Sequence, residues 1–251
     1  MTKFLSLIGC LLLTASAFAA GDLLIVADEI PAMELLAGKL KAEEDITSKV
    51  VLQTAMPAEL SAFAAVMVYI HKGLDAAPER AFIAYANGGG KLILLHHSIS
   101  SGKRKNKEWF PFLGVSLLEG DVNAGGYKWT EPVTLDIVNL APDHFITTHK
   151  VQYPQKINFA NSGGVEKPLP GFTLKDSEVY LNHVLAGPHT ALLGLRYTDA
   201  KTGKVWMQEH AGWVRPAGKG WIVYLLPGHS ALDFENPAYG RIVLNAVIWK
   251  P

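Results

Sequence analysis

His96, His97 and Ser98 stand directly after an apolar run at residues 92–95, and His229 and Ser230 lie just beyond a second run at residues 221–226. His71 ends a third run, and Asp28 with Glu29 ends a fourth. Imidazoles exchange protons near neutrality and bind transition metals, and carboxylates serve as acids, bases or charge partners. Any one of these residues reads equally well as a polar strand end; His71, for example, has only to satisfy a backbone group. Their shared position predicts a polar site at one edge of the fold, because open α/β sheets bind ligands at the carboxyl ends of their strands. Successive strand residues face opposite sides, so His96 and His97 reach one pocket only if the chain has already turned. Otherwise His97 packs behind His96 and orients it.

The elements that carry these residues alternate in the first half. Residues 22–28 (DLLIVAD) predict a buried strand, followed by a helix with Met33, Leu36, Ala37 and Leu40 on one face. Further strands are expected at residues 49–54, 64–72 and 91–97, with a helix at 78–87 stopped by the glycines of NGGG. This βα alternation predicts an α/β fold with a mostly parallel sheet. Residues 132–138 alternate like a half-exposed strand, and 151–172 read as a long surface excursion. ALLGLRY, KVWMQEH and GWIVYLL are three more strand candidates. The last helix has Asn236 as cap, Pro237 in its first turn, and Tyr239, Ile242, Val243 and Ala246 on one face. Neither an internal repeat nor a domain linker interrupts the chain.

Composition narrows the partners. Residues 1–19 carry an early lysine, a short apolar run and an Ala-x-Ala end, which predicts a secretory signal peptide and a periplasmic or secreted domain at 20–251. The apolar run is too short for a stable membrane span. Basic and acidic residues balance at 23 each, so no electrostatic footprint for nucleic acid is present. The basic cluster GKRKNKEW at 102–109 is expected to be a solvated loop. Cys10 is the only cysteine and falls in the expected signal peptide, which excludes disulfides, thiolate ligands and a cysteine nucleophile from the mature chain. The sequence does not indicate an oligomeric state.

The order LILLHHSIS, WFPFLG, FTLKDSEVY, KVWMQEH, GKGWIVYLLPGHS and ENPAYGRIVLNAVIW resembles the ThuA-like family, named for trehalose utilisation. The resemblance spans nearly the whole mature chain. It implies a three-layer, flavodoxin-like fold similar to class I glutamine amidotransferases, and a role in the catabolism of disaccharides or keto-sugars. In amidotransferases of that fold the turn after the equivalent strand holds a nucleophilic cysteine; His96 stands there in this chain, so thiol-dependent glutamine hydrolysis is excluded. Family members commonly read Asp-Glu-x-Tyr, whereas Ser177 precedes Glu178 and Tyr180 here, residues 151–170 look inserted, and a central histidine has no counterpart near GGYKWTEP.

Three functions follow. The first is an enzyme acting on a sugar, with His96, Glu178 and His229 as catalytic groups and Asp28 as a further carboxylate. Asp28, His71, His97, Trp109, Tyr180 and Ser230 would bind substrate, with Trp129 and Trp206 as further stacking surfaces, although Trp206 reads rather as core. The second is a zinc site on His71, His96 and His229, completed by Glu178. The third is a non-catalytic sugar-binding or assembly module. A serine hydrolase ranks below these, because no G-x-S-x-G elbow occurs.

Overall fold

The computed structural model describes residues 22–251; the expected signal peptide and Cys10 lie outside the described residues. β1 (Asp22–Ala27), α1 (Ile30–Glu44), β2 (Thr47–Val51), β3 (Ala65–Tyr69), α2 (Ala76–Asn87) and β4 (Lys91–Leu95) form the alternating half. α3 (Trp109–Leu113), β5 (Val115–Leu117), β6 (Lys128–Asn139), α4 (Phe145–Thr148), β7 (Gln155–Ala160) and β8 (Glu166–Leu181) follow. β9 (His183–Leu185), β10 (Thr190–Thr198), β11 (Val205–Ala217), β12 (Gly220–Leu225), α5 (Ala231–Glu235) and α6 (Pro237–Ile248) complete the chain. None of the described helices is long and apolar enough to cross a membrane.

Ten strands form one sheet in the order β2-β1-β3-β4-β12-β11-β10-β6-β8-β7, and β5 pairs with β9 separately. From β2 to β12 the pairing is parallel; from β12 to β7 it is antiparallel. The sheet is therefore mixed, and the expectation of a mostly parallel one is corrected. The reason lies in the connections. Only residues 218–219 separate β11 from β12 and only 199–204 separate β10 from β11, too few for the crossover a parallel pair needs.

The parallel strands are buried as their apolar runs require, β3 along its whole length. α1 turns Ala32, Met33, Leu36 and Leu40 inward, and α6 starts at Pro237 with the Asn236 side chain accepting from the amides of Ala238 and Tyr239. α1, α5 and α6 pack together with α4 alongside α6, whereas α2 packs on α3, β4 and β12. Residues 151–172 are not a surface excursion. β7 and the start of β8 form an edge hairpin there, over a small satellite core of Val138, Ile157 and Phe159. Outward-facing Gln155, Lys156 and Asn158 hide that strand from a hydrophobicity pattern, as edge strands often do.

On β9 and β11, the buried His183 and the half-buried His210 lie with ring centroids 3.8 Å apart. Neither nitrogen of His183 nor Nδ1 of His210 has a hydrogen-bond partner. Burial lowers the His210 pKa to about 4 and holds His183 well below its ordinary value. Both rings are thus neutral in the folded protein, while the unfolded chain takes up protons once pH falls below about 6.5. Stability should therefore be complete above pH 6.5 and decline towards pH 4, by on the order of 3 kcal/mol for His210 alone. Thermal unfolding followed from pH 8 to 4 checks this. His210→Phe should flatten the acid limb, and an unchanged slope would remove these rings as its cause.

Candidate functional site

Two turns at the carboxyl ends of the parallel strands and two strands of the antiparallel ribbon, β6 and β8, converge on one point. After β4 the chain enters a tight turn over His96–Ile99, with His96 at φ 37°. A non-glycine residue in this left-handed region is held there by its surroundings. Ser98 Oγ donates to the carbonyls of Val68 and Leu95, Trp109 Nε1 donates to Ser98 O, and the Tyr224 hydroxyl donates to His96 O. Because the turn breaks strand alternation, His96 and His97 both reach the same carboxylate.

After β12, Gly228 adopts φ 120°, where a Cβ would also come within 2.9 Å of the Phe234 ring. The amides of Gly228 and His229 and the hydroxyl of Ser177 all donate to Asp233 Oδ2, at 2.9, 2.9 and 2.8 Å. That buried carboxylate ties the His229 loop to β8, the strand bearing Glu178 and Tyr180. In the β6–β8 ribbon Trp129 pairs with Tyr180, and the register shifts between Thr130 and Val133, where Glu131 lies.

Glu178 Oε2 is 2.8 Å from His96 Nε2, 3.4 Å from His97 Nε2 and 3.4 Å from His229 Nδ1. His229 Nε2 lies 2.9 Å from Glu131 Oε2, and His96 Nδ1 donates to the carbonyl of Leu226. The Tyr180 ring stacks on His96 and the His71 ring on His97, with centroids 4.8 and 3.9 Å apart. Burial would raise the Glu178 pKa, but the imidazoles of His229, His96 and His97 around it outweigh burial and hold the group well below the carboxylate range. His229 is shifted up, chiefly by the Glu178 carboxylate beside it, whereas burial pushes His97 down to about 3. The centre thus places an anionic oxygen among three imidazoles, and His229 holds a proton more readily than His97.

Glu178 and His97 also line a cavity of 240 Å³, with Tyr127, Trp129 and Tyr180 as an aromatic wall and His71 at its side. Larger clefts of 720 and 430 Å³ lie at the amino ends of the parallel strands and contain no histidine. Size favours them; the chemistry favours the smaller cavity.

Residues 23–250 match the ThuA family, described as Trehalose utilisation. The chain belongs to that family. Its ThuA fold is similar to a ThuA-like protein from Parabacteroides merdae ATCC 43184, at TM-score 0.64 and 12% identity over 91% of this chain and 88% of the other. It is also similar to a ThuA-like protein from Bacteroides uniformis ATCC 8492 (TM-score 0.62, 16% identity, 90% and 89% covered). A cytoplasmic protein from Salmonella typhimurium LT2 has TM-score 0.59 at 13% identity, with 90% and 98% covered. No curated protein matches this ThuA chain in sequence.

Several expected site residues lie outside the donor cluster. His71 is absent from the donor cluster: its Nδ1 is 2.8 Å from Glu29 Oε1, and His97 occupies the position assigned to it. Asp28 accepts from the amides of His71 and Lys72, one on each oxygen, and so holds the turn after β3. Trp109 is wholly buried and cannot stack on a sugar. Trp206 lies on β11 beside a separate cleft, with the Lys204 ammonium 3.8 Å above its ring. Ser230 is not among the residues that line the 240 Å³ cavity.

The expected solvated loop also hides a buried residue. Lys103 Nζ donates to the carbonyls of Ile70 and His71, and burial lowers its pKa to about 8. Sequence reasoning missed Glu131 and Asp233 altogether. Glu131 reaches His229 only through the shifted ribbon register, which carries no local signal. Asp233 lies four residues after His229, and that proximity is the one sign of its role as an anchor.

Proposed function

We propose that this ThuA-family protein is an exported enzyme of carbohydrate catabolism that binds a disaccharide or keto-sugar in the 240 Å³ cavity. The observation that carries this reading is the Glu178 carboxylate, shared by three imidazoles at the edge of a cavity with an aromatic wall. Sugar rings combine hydroxyl edges with apolar faces, so such a wall beside a proton-transferring group suits them. His229, with its side chain 23% exposed, is assigned as the proton donor, and Glu178 stabilises its charge. His96 is held from both sides and fixes the position of Glu178. Trp129, 51% exposed opposite Tyr180, is assigned to stack on the sugar.

The leader-like residues 1–19 support export, and the balanced charge supports a small neutral ligand rather than nucleic acid. The two groups of helices support the three-layer, flavodoxin-like reading of the fold. Glutamine amidotransferase activity is excluded from the proposal, because His96 stands where the thiol would be and the described residues contain no cysteine.

Turnover of trehalose, other disaccharides and keto-disaccharides, followed by NMR of the sugar, tests the reading. Trp129→Ala should weaken binding about tenfold, the loss of one stacking contact, with a smaller change in kcat. Binding without chemical change would make the protein a sugar-binding module. Neither binding nor turnover across the panel would overturn the carbohydrate reading.

A further inference from the structure

We infer that His96, His97, Glu178 and His229 form a binding site for one divalent transition-metal ion of the zinc class. Their donor atoms all lie within 4.8 Å of one another. Ligands of a tetrahedral zinc, each about 2.0–2.1 Å from the ion, lie about 3.3 Å apart. Glu178 Oε2 is 2.8, 3.4 and 3.4 Å from the three histidine nitrogens, so to hold the ion the Glu178–His96 pair opens slightly and the most widely spaced donors draw together.

The outer contacts make the case specific. Leu226 O can only accept, so His96 Nδ1 carries a hydrogen and the Nε2 lone pair faces the centre. Glu131 accepts from His229 Nε2 in the same way, which turns the Nδ1 lone pair inward. Acceptors behind ligating imidazoles, a carbonyl on one and a carboxylate on another, are the usual support of a protein metal site. Without an ion, protons on the imidazoles must fill the same gap between nitrogen and oxygen.

Three nitrogens and one carboxylate select zinc or a neighbouring transition metal over magnesium or calcium, which prefer oxygen ligands. His97 and Glu178 line the cavity, so a fifth, oxygen ligand would approach from that side. With the ion bound, His229 would be a ligand and not the proton donor, and the ion would supply Lewis acidity towards a sugar oxygen in its place. That last role rests on the carbohydrate reading; the binding of the ion does not.

The test is calorimetric titration of untagged, chelator-stripped protein with zinc chloride, beside cobalt(II) loading read by visible absorption. One zinc per chain is expected, with the intense cobalt band of a low-coordinate nitrogen–oxygen site. His97→Ala and Glu178→Gln should weaken zinc by about 100-fold or more, and Glu131→Gln by about tenfold. His189→Ala removes an exposed histidine outside the cluster and should leave binding unchanged. Circular dichroism confirms that each variant is folded.

Wild-type protein that takes up no stoichiometric zinc would overturn the inference. So would a folded His97→Ala variant that binds as tightly as wild type. Sugar binding by the stripped protein is measured in parallel, so a failed metal site and a failed carbohydrate reading remain distinguishable.

Discussion

Glu178→Gln is expected to lower sugar turnover by about 10³-fold while the protein stays folded. The side chain keeps its shape but loses the charge that three imidazoles share. An amide presents one acceptor and two donors, so it cannot serve His96, His97 and His229 together. The first consequence is electrostatic: His229 loses the principal cause of its upward shift and is proton-bearing over a narrower pH range. NMR titration of the His229 ring reads this independently of catalysis, as a fall towards the ordinary imidazole value.

The fold should tolerate the change better than most losses of a buried charge partner, which typically cost about 3–5 kcal/mol. Imidazoles can release their protons, and His97 already favours the neutral form. A loss of about 1–2 kcal/mol is therefore expected in denaturant unfolding. Wild-type turnover in the variant would remove Glu178 from the mechanism. Inactivity with an unshifted His229 would mean that its charge is not coupled to that proton.

The legible part of this molecule was its local part. Apolar runs marked β1, β3, β4 and β12, and the polar residues ending them do lie at one edge of the sheet. His96, His97 and His229 could be found because each directly follows its strand or the short loop after it. What escaped was set by long-range geometry. Alternation along a strand allows His96 and His97 a shared pocket only if the chain has turned, and the turn that begins at His96 brings both to Glu178.

His71 is the converse case. It follows its strand as the others do, yet β3 leaves it beside Glu29 and flat against His97. Glu131 meets His229 because the β6–β8 register slips, and the pairing of two strands so far apart in sequence has no local trace. Trp109 shows a different limit. An aromatic residue in a short helix reads as core or as a sugar platform equally well until its neighbours are known. Lys103 shows it again, since a lysine among lysines gives no sign that its ammonium caps two buried carbonyls.

Asp233→Ala is expected to be the most destabilising single change near the site, by about 3–5 kcal/mol. One buried oxygen accepts three hydrogen bonds, two from the Gly228 and His229 amides and one from Ser177. Truncation strands all three donors, and a stranded buried donor costs about 1–3 kcal/mol. Ser177 recovers part of this by rotating, and a water entering the space recovers more, which keeps the total below the simple sum. For a chain of this size the expected drop in Tm is roughly 10 °C. Ser177→Ala removes one neutral donor and leaves both amides satisfied, so it should cost only about 1 kcal/mol. Asp233→Asn should fall between them, since its carbonyl oxygen still accepts while its charge is gone. The series also reports on the site, because this carboxylate joins the His229 loop to the strand of Glu178 by hydrogen bonds. As that tie loosens, the His229 pKa should move back towards its ordinary value in step with the loss of stability. A fall in Tm with His229 unmoved would mean that Asp233 holds the loop but does not position the imidazole.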